Sequence, residues 1–258
     1  MILSTENILK GLEMGIFDKF RKKTETQPEK NDAQDNNEPP NSDIGSESAA
    51  GSDEEEAPAY GWDGIEARFT QLYPGQTNPL HYGTLIKYSL GGNDPLDGIS
   101  IYDAGDFWHY VTFGFSDLYE KHVEDDPEWS GAGFELTMKL KKLPWIDDAE
   151  IKNIANILQT LARYAFSSQV TFKPYEYIWT KQTEGFDANS KSILTGFATL
   201  PDEAGLIETP NGKVEFICVV GLTDKELRSI FEKEYTTKEI IEKLDSPITD
   251  YERDELIL

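Results

Sequence analysis

The acidic segment at residues 24–60 is the feature that most constrains how this chain folds. It carries eleven acidic side chains against one lysine, Lys30, and its only large apolar residues are Ile44 and Tyr60. Burying so little apolar surface cannot offset the entropy that a chain loses on ordering. The sequence therefore predicts that residues 1–60 are an N-terminal tail and a disordered acidic linker, and that residues 61–258 form the folded domain.

The predicted domain is itself strongly acidic. Residues 61–258 hold 34 acidic and 18 basic side chains, a net charge of −16 out of the −24 of the whole chain. Such a surface repels phosphate backbones, which argues against nucleic-acid binding. It attracts a basic protein partner and speeds the encounter with it. Solubility alone is the other interpretation of this acidity.

Cysteine usage and hydropathy bear on the compartment. Cys218 is the only cysteine, so the chain forms no internal disulfide, which fits a reducing compartment. The sequence contains no run of about 18 apolar residues that would span a membrane. The N-terminus also lacks a basic head followed by an apolar stretch. We therefore expect a cytoplasmic protein without a membrane span.

Capping signals and apolar periodicity predict four helices. The first begins at Asp63, which with Glu66 makes a D-x-x-E start. The longest covers residues 147–167, with acidic side chains at the positive end of its dipole. Two short helices near the C-terminus each open with a capping box, in which threonine precedes glutamate by three positions. The two pairs are Thr223 with Glu226 and Thr236 with Glu239.

Strand signals occupy most of the remaining domain. Strands are predicted at residues 81–90, 98–102, 107–115, 134–141 and 214–220, with extended segments at 170–180 and 193–199. Apolar and polar residues alternate over 134–141, which predicts a strand with one buried face and one solvated face. The order of helices and strands shows no strict βαβα alternation. It predicts an α+β domain with a mixed, mainly antiparallel sheet packed against helices.

The chemistry-bearing residues show no catalytic pattern. The three histidines, His81, His109 and His122, have no partners at the spacing of a metal motif, and no nucleophile or phosphate-loop motif occurs. Cys218 lies in an apolar run, which indicates a buried and unreactive thiol. The sequence predicts no catalytic residue, no metal and no cofactor. An unrecognised enzyme or small-ligand binder that uses His81, His109 or the acidic loops stays as an alternative.

Several longer runs resemble the suppressor of fused family, in order and spacing, from about residue 60 to the C-terminus. They include the runs L-G-G-N-D-P-L-D at 90–97, W-H-Y-V-T-F-G-F-S-D-L-Y at 108–119 and G-A-G-F-E-L-T at 131–137, followed by L-A-R-Y-A-F at 161–166 and T-P-N-G at 209–212. The resemblance implies a suppressor-of-fused-like domain that is a non-enzymatic interaction module. The animal member has two domains and holds Gli transcription factors in the cleft between them, with the bound peptide added as a strand. This chain matches only the N-terminal domain.

The resemblance also implies candidate partner-binding residues. Tyr164 matches the family's peptide-contacting tyrosine in L-A-R-Y, and Phe172 matches a contact phenylalanine in T-F. Glu176 is a stand-in for an acidic contact that follows shortly after. A further acidic contact falls at Thr199 here, where this chain departs from the family.

The resemblance finally indicates a function. Single-domain members similar to this chain are typical of bacteria, where they look like immunity proteins of polymorphic toxin systems. The resemblance therefore predicts a protein that neutralises a toxin domain, a partner that is often basic, by direct binding. A regulatory scaffold that sequesters a transcription or signalling factor is the alternative.

Overall fold

The computed structural model describes residues 58–86, 88, 91–121 and 126–257. Within these ranges the helices are α1 (Tyr60–Leu72), α2 (Asp148–Ser168), α3 (Asp224–Phe231) and α4 (Thr237–Ile241). The strands are β1 (Leu80–Gly83), β2 (Gly98–Asp103), β3 (Phe107–Phe113), β4 (Trp129–Lys141), β5 (Tyr177–Ile178), β6 (Leu194–Thr209) and β7 (Gly212–Thr223). The predicted linker, except for residues 58–60, lies outside the described residues, as does His122. The predicted disorder and the division at residue 60 therefore stay predictions.

The seven strands form one sheet in the order β1-β2-β3-β4-β7-β6-β5. Neighbouring strands are antiparallel, except that β4 and β7 run parallel in the middle of the sheet. Pro210 and Asn211 form the tight two-residue turn between β6 and β7, because Thr209 pairs directly with Gly212. The predicted α+β class with a mixed, mainly antiparallel sheet is confirmed.

Helices cover both faces of the sheet. The apolar stripe of α2 packs on one face, against inward-facing residues of β2, β3, β4 and β7 such as Tyr110 and Met138. On the other face, α1 packs against β3 and β7 through Ile65 and Phe69, while α3 and α4 cover the end of β6 and β7. No helix in the described ranges is long and apolar enough to cross a membrane.

The capping signals correctly predict where three of the four helices begin. The side chain of Asp147 accepts a hydrogen bond from the backbone N–H of Glu150, and both predicted capping boxes are present. The predicted start of α1 at Asp63 is wrong. The helix begins at Tyr60, and no side chain caps it; instead the backbone N–H of Gly61 donates to the carbonyl oxygen of Leu118 at 3.0 Å. A distant carbonyl group thus replaces the local cap.

The prediction of a solvated face on β4 is wrong. The alternate positions Glu135, Thr137 and Lys139 are all buried, as are the apolar residues between them. Helix α1 packs on this face, and Asp202 of β6 reaches it with its carboxylate, so polar partners of the protein replace water. Burial of a charged group requires such pairing.

Two further strand predictions differ from the structure in length. The strand predicted over residues 81–90 ends at Gly83, and Leu85 and Ile86 that follow are exposed. The extended segment predicted over 170–180 contains only the two-residue strand β5, whereas β6 continues ten residues beyond the predicted 199. The edge of the sheet beside β6 is therefore short.

Candidate protein-binding site

Tyr164 lies in the last part of α2, on the stripe of the helix that faces the sheet. Its side chain is only 6% exposed and belongs to the main apolar cluster, together with Leu161 and Ala165. The periodicity that builds the helix therefore also fixes this tyrosine at the edge of the core. Truncating it would remove buried surface as well as any partner contact.

Phe172 follows the end of α2. The chain leaves the helix through Gln169, which adopts the left-handed conformation with a φ of 52° and acts as the C-cap. Phe172 then packs edge-on against Phe115 and Phe134, with ring centroids 6.5 and 6.1 Å apart, and is 7% exposed. This phenylalanine is thus a core residue, and the chain continues directly from it into the turn that carries Glu176.

Thr199 of β6 holds the turn at residues 173–176. Its hydroxyl donates to the carbonyl oxygen of Lys173 at 2.6 Å and accepts the backbone N–H of Glu176 at 3.0 Å. Its backbone N–H donates to the carbonyl oxygen of Glu176 at 2.9 Å, and its carbonyl oxygen accepts the N–H of Tyr175 at 2.6 Å. We call this set of four hydrogen bonds the Thr199 clasp.

The side chain of Glu176 stays partly buried beside the clasp. One carboxylate oxygen accepts the backbone N–H of Lys173 at 3.0 Å. Burial raises the pKa of Glu176 above its ordinary value, against the opposing effects of this hydrogen bond and of the Lys173 charge. Burial also raises the pKa of Tyr164, with a further contribution from the charge of Glu176, so these two side chains lie within electrostatic reach of one another.

The structure therefore brings the three candidate residues into one region, at the end of α2 and the start of β5. Sequence reasoning missed two residues there. Thr199 entered only as a departure from the family pattern, yet it organises the turn. Tyr175 was not singled out in the sequence, yet it is exposed in this region. Neither residue has a local signal, because the clasp joins positions more than twenty residues apart.

The two histidines in the described residues, His81 and His109, do not form a comparable site. His109 is fully buried; its Nδ1 lies 2.7 Å from the Tyr73 hydroxyl, and its Nε2 lies 3.3 Å from the Asp202 carboxylate. His81 contacts the Ser100 hydroxyl through Nδ1 at 3.0 Å, and burial lowers its pKa. Both are held by neighbouring polar groups, as structural histidines are.

Other candidate chemistry is also accounted for by packing. Cys218 is fully buried, and burial raises the pKa of its thiol to about 12, which makes it unreactive. Within the described ranges, no group of three or more His, Cys, Asp or Glu side chains is placed to hold a metal ion. A cavity of about 470 Å³ lies beside α3, lined in part by Arg228, Tyr235 and Ile257, and neither His81 nor His109 lines it.

Comparison with protein families decides the relationship of the chain. The model of the Suppressor of fused protein family matches residues 92–254, which is more than half of the chain and includes all three candidate residues. The chain belongs to the suppressor of fused family. The resemblance carried by the sequence motifs is thereby confirmed, whereas the roles of Tyr164, Phe172 and Glu176 stay predictions.

Individual relatives agree with this assignment. The suppressor of fused homologs of Homo sapiens and Mus musculus are each 36% identical over 174 residues, which is 62% of this chain and 35% of the relative. The chain thus spans about a third of the length of the curated relatives that it matches.

Solved structures of the family share the fold. A crystal structure of the Sufu–Fu complex aligns with a TM-score of 0.67 and 31% identity, over 77% of this chain and 93% of that chain. The crystal structure of Drosophila Suppressor of Fused aligns with a TM-score of 0.68 and 30% identity, over 77% of this chain and 52% of that chain.

Proposed function

We propose that this chain is a non-enzymatic protein-binding domain, and specifically a cytoplasmic immunity protein that neutralises a toxin domain by binding it directly. The observation that carries the proposal is the meeting of Tyr164, Phe172 and Glu176 around the Thr199 clasp. These are the positions that the family resemblance assigns to partner contact; Tyr164 belongs to α2, whereas Phe172 and Glu176 lie in the segment between α2 and β5.

The mechanism that we propose is occlusion. The region around Glu176 docks on the toxin domain and blocks access to its active site. The net charge of −16 on residues 61–258 supports a basic partner, because opposite charges raise the association rate. The related Sufu chain occurs in a complex with a second protein, Fu, which supports protein binding as the mode of action.

Co-expression tests the proposal. Where a toxin gene neighbours the gene for this chain, that gene is induced in cells with and without the chain. The proposal predicts survival only when the chain is present, and a complex of the two proteins on size-exclusion chromatography. Equal killing in both cultures would reject the immunity role.

A regulatory scaffold is the second candidate. It is favoured by the 36% identity to the suppressor of fused homologs of Homo sapiens and Mus musculus. In that case the chain sequesters a basic transcription or signalling factor. A pull-down followed by calorimetry with the captured protein separates the two functions, because the partner is then a regulator and not a toxin.

A further inference from the structure

Tyr175 has an unusual backbone conformation within the candidate site. Its φ is 67°, in the left-handed region that a bulky aromatic residue rarely adopts, and its side chain is 43% exposed. Strained backbone of this kind concentrates at functional sites, where the surrounding structure imposes it.

The Thr199 clasp imposes this conformation through backbone atoms. The N–H of Tyr175 donates to the carbonyl oxygen of Thr199, and both backbone groups of Glu176 bond to Thr199. None of these bonds involves the tyrosine side chain. A glycine at position 175 would keep every one of them and would relieve the strain. The hydrogen bonds of the clasp therefore do not depend on the ring.

The groups around the Tyr175 ring indicate which kind of partner group it would contact. Nζ of Lys238, from α4, lies 5.7 Å from the centroid of the Tyr175 ring, so the ring already receives a cation in the free domain. The adjacent Glu176 is a partly buried carboxylate that forms no ion pair with a Lys or Arg side chain among the described residues, although the charge of Lys173 acts on it. Because Glu176 follows Tyr175 directly in the chain, a guanidinium group that pairs with this carboxylate comes within reach of an aromatic ring one residue away.

We propose that Tyr175 is a partner-contacting residue, and that its ring stacks on an arginine or lysine side chain that a basic protein partner brings to Glu176. This inference rests on the proposed function and names the partner chemistry at the same site. It also gives the site an exposed contact residue. Tyr164 and Phe172 are each less than a tenth exposed and offer little surface to a partner, whereas Tyr175 is exposed.

Two variants of the full chain test this role. Tyr175→Gly removes the ring and relieves the backbone, whereas Tyr175→Phe keeps the ring. Tyr60→Ala is the matched control, because Tyr60 is equally exposed, at 44%, on another element. Binding of each variant to the purified neighbouring toxin domain is measured by calorimetry, together with its melting temperature.

The expected result has two parts. Tyr175→Gly binds the toxin domain at least tenfold more weakly, with an unchanged or higher melting temperature. Tyr175→Phe and Tyr60→Ala bind within threefold of the wild type. Wild-type affinity in Tyr175→Gly would overturn the role of the ring while leaving the proposed function intact.

The remaining outcomes are also decisive. A lowered melting temperature in Tyr175→Gly would make the ring structural and overturn the inference. An equal loss of affinity in Tyr175→Phe would assign the contact to the hydroxyl group and overturn the stacking. Absence of binding by the wild type itself would reject the proposed function, and the inference with it.

Discussion

The hydroxyl oxygen of Tyr73 lies 2.7 Å from Nδ1 of His109, and this contact ties the end of α1 to the middle of the sheet. Nε2 of the same histidine faces the Asp202 carboxylate at 3.3 Å. In the tautomer that carries its proton on Nε2, toward the carboxylate, Nδ1 of the imidazole accepts a hydrogen bond from the Tyr73 hydroxyl group. One buried histidine thus joins the covering helix to β6.

The substitution Tyr73→Phe tests this connection. It removes the hydroxyl group and leaves Nδ1 of His109 without its partner in a buried site. We expect the free energy of unfolding to fall by about 1–3 kcal/mol, as measured by urea denaturation. Tyr60→Phe, at an exposed position, is the control and should change stability by less than about 0.5 kcal/mol. An unchanged midpoint for Tyr73→Phe would show that the contact contributes nothing.

The substitution Asp202→Asn removes the buried charge at the centre of the same network. Burial opposes ionisation of Asp202, but His109, Lys139 and the N–H of Ala204 outweigh it and hold the pKa of this carboxyl well below its usual range. Loss of the charge leaves Lys139 poorly compensated, so we expect a cost of about 3 kcal/mol or more. Glu203→Gln is the matched control, because that exposed carboxylate pairs with the same lysine at 3.0 Å and should cost less than about 1 kcal/mol.

The pH dependence of Asp202→Asn has a defined sign. A lowered pKa in the folded state gives stability that is present above the ordinary value of 3.8 and is lost as the pH falls below it. The difference in unfolding free energy between wild type and variant should therefore be constant at neutral pH and shrink in acid. A difference that stays constant down to the acid-unfolding range would contradict an ionised Asp202.

The substitution Glu135→Gln tests a second buried carboxylate, with the opposite sign. Burial raises the pKa of Glu135 to about 7, although Thr112, Ser116 and Gly114 donate hydrogen bonds to it. The folded state therefore holds a proton that the unfolded state releases near 4.5, and stability falls as the pH rises from 4.5 to 7.

Denaturation of wild type and Glu135→Gln at several pH values measures this effect. We expect the variant to gain stability relative to the wild type by on the order of 3 kcal/mol between pH 4.5 and 8, at 1.36 kcal/mol for each unit of pKa shift. Parallel stability curves for the two proteins would mean that Glu135 is ionised throughout.

Structural features that depend on residues close together in sequence could be predicted from the sequence. Asp147 and the two capping boxes act within one turn of their helices, so all three helix starts were predicted correctly. The alternation of apolar and polar residues on β4, by contrast, did not reveal that both of its faces are buried. Glu135, Thr137 and Lys139 have the pattern of a solvated face, and their partners lie at positions distant in sequence.

The candidate site shows the same division. Tyr164, Phe172 and Glu176 were identified by resemblance to a family and not by any physical pattern. The role of Thr199 could not be predicted. Its hydrogen bonds join β6 to the turn before β5, and these two segments meet only in the tertiary structure. The strain at Tyr175 likewise exists only once this clasp has formed.

The substitution Glu176→Gln tests the site without disturbing the fold. Because burial raises the pKa of this carboxyl, its charge does not stabilise the free domain, and the variant should melt at or above the wild-type temperature. We expect at least a tenfold loss of affinity for a basic partner in calorimetry, or about 1.4 kcal/mol. Glu208→Gln is the control. It removes an exposed carboxylate on β6, outside the candidate site, and should bind the partner with wild-type affinity. Equal affinities of the two variants would exclude Glu176 from the interface.

Inhibition of the purified neighbouring toxin domain by the purified chain tests the proposed function most directly. The activity of the toxin is measured while wild-type chain is added up to and beyond an equal molar amount. Direct neutralisation predicts that activity falls in proportion to added chain and is lost near a ratio of one to one. Full toxin activity in a large excess of folded chain would contradict it.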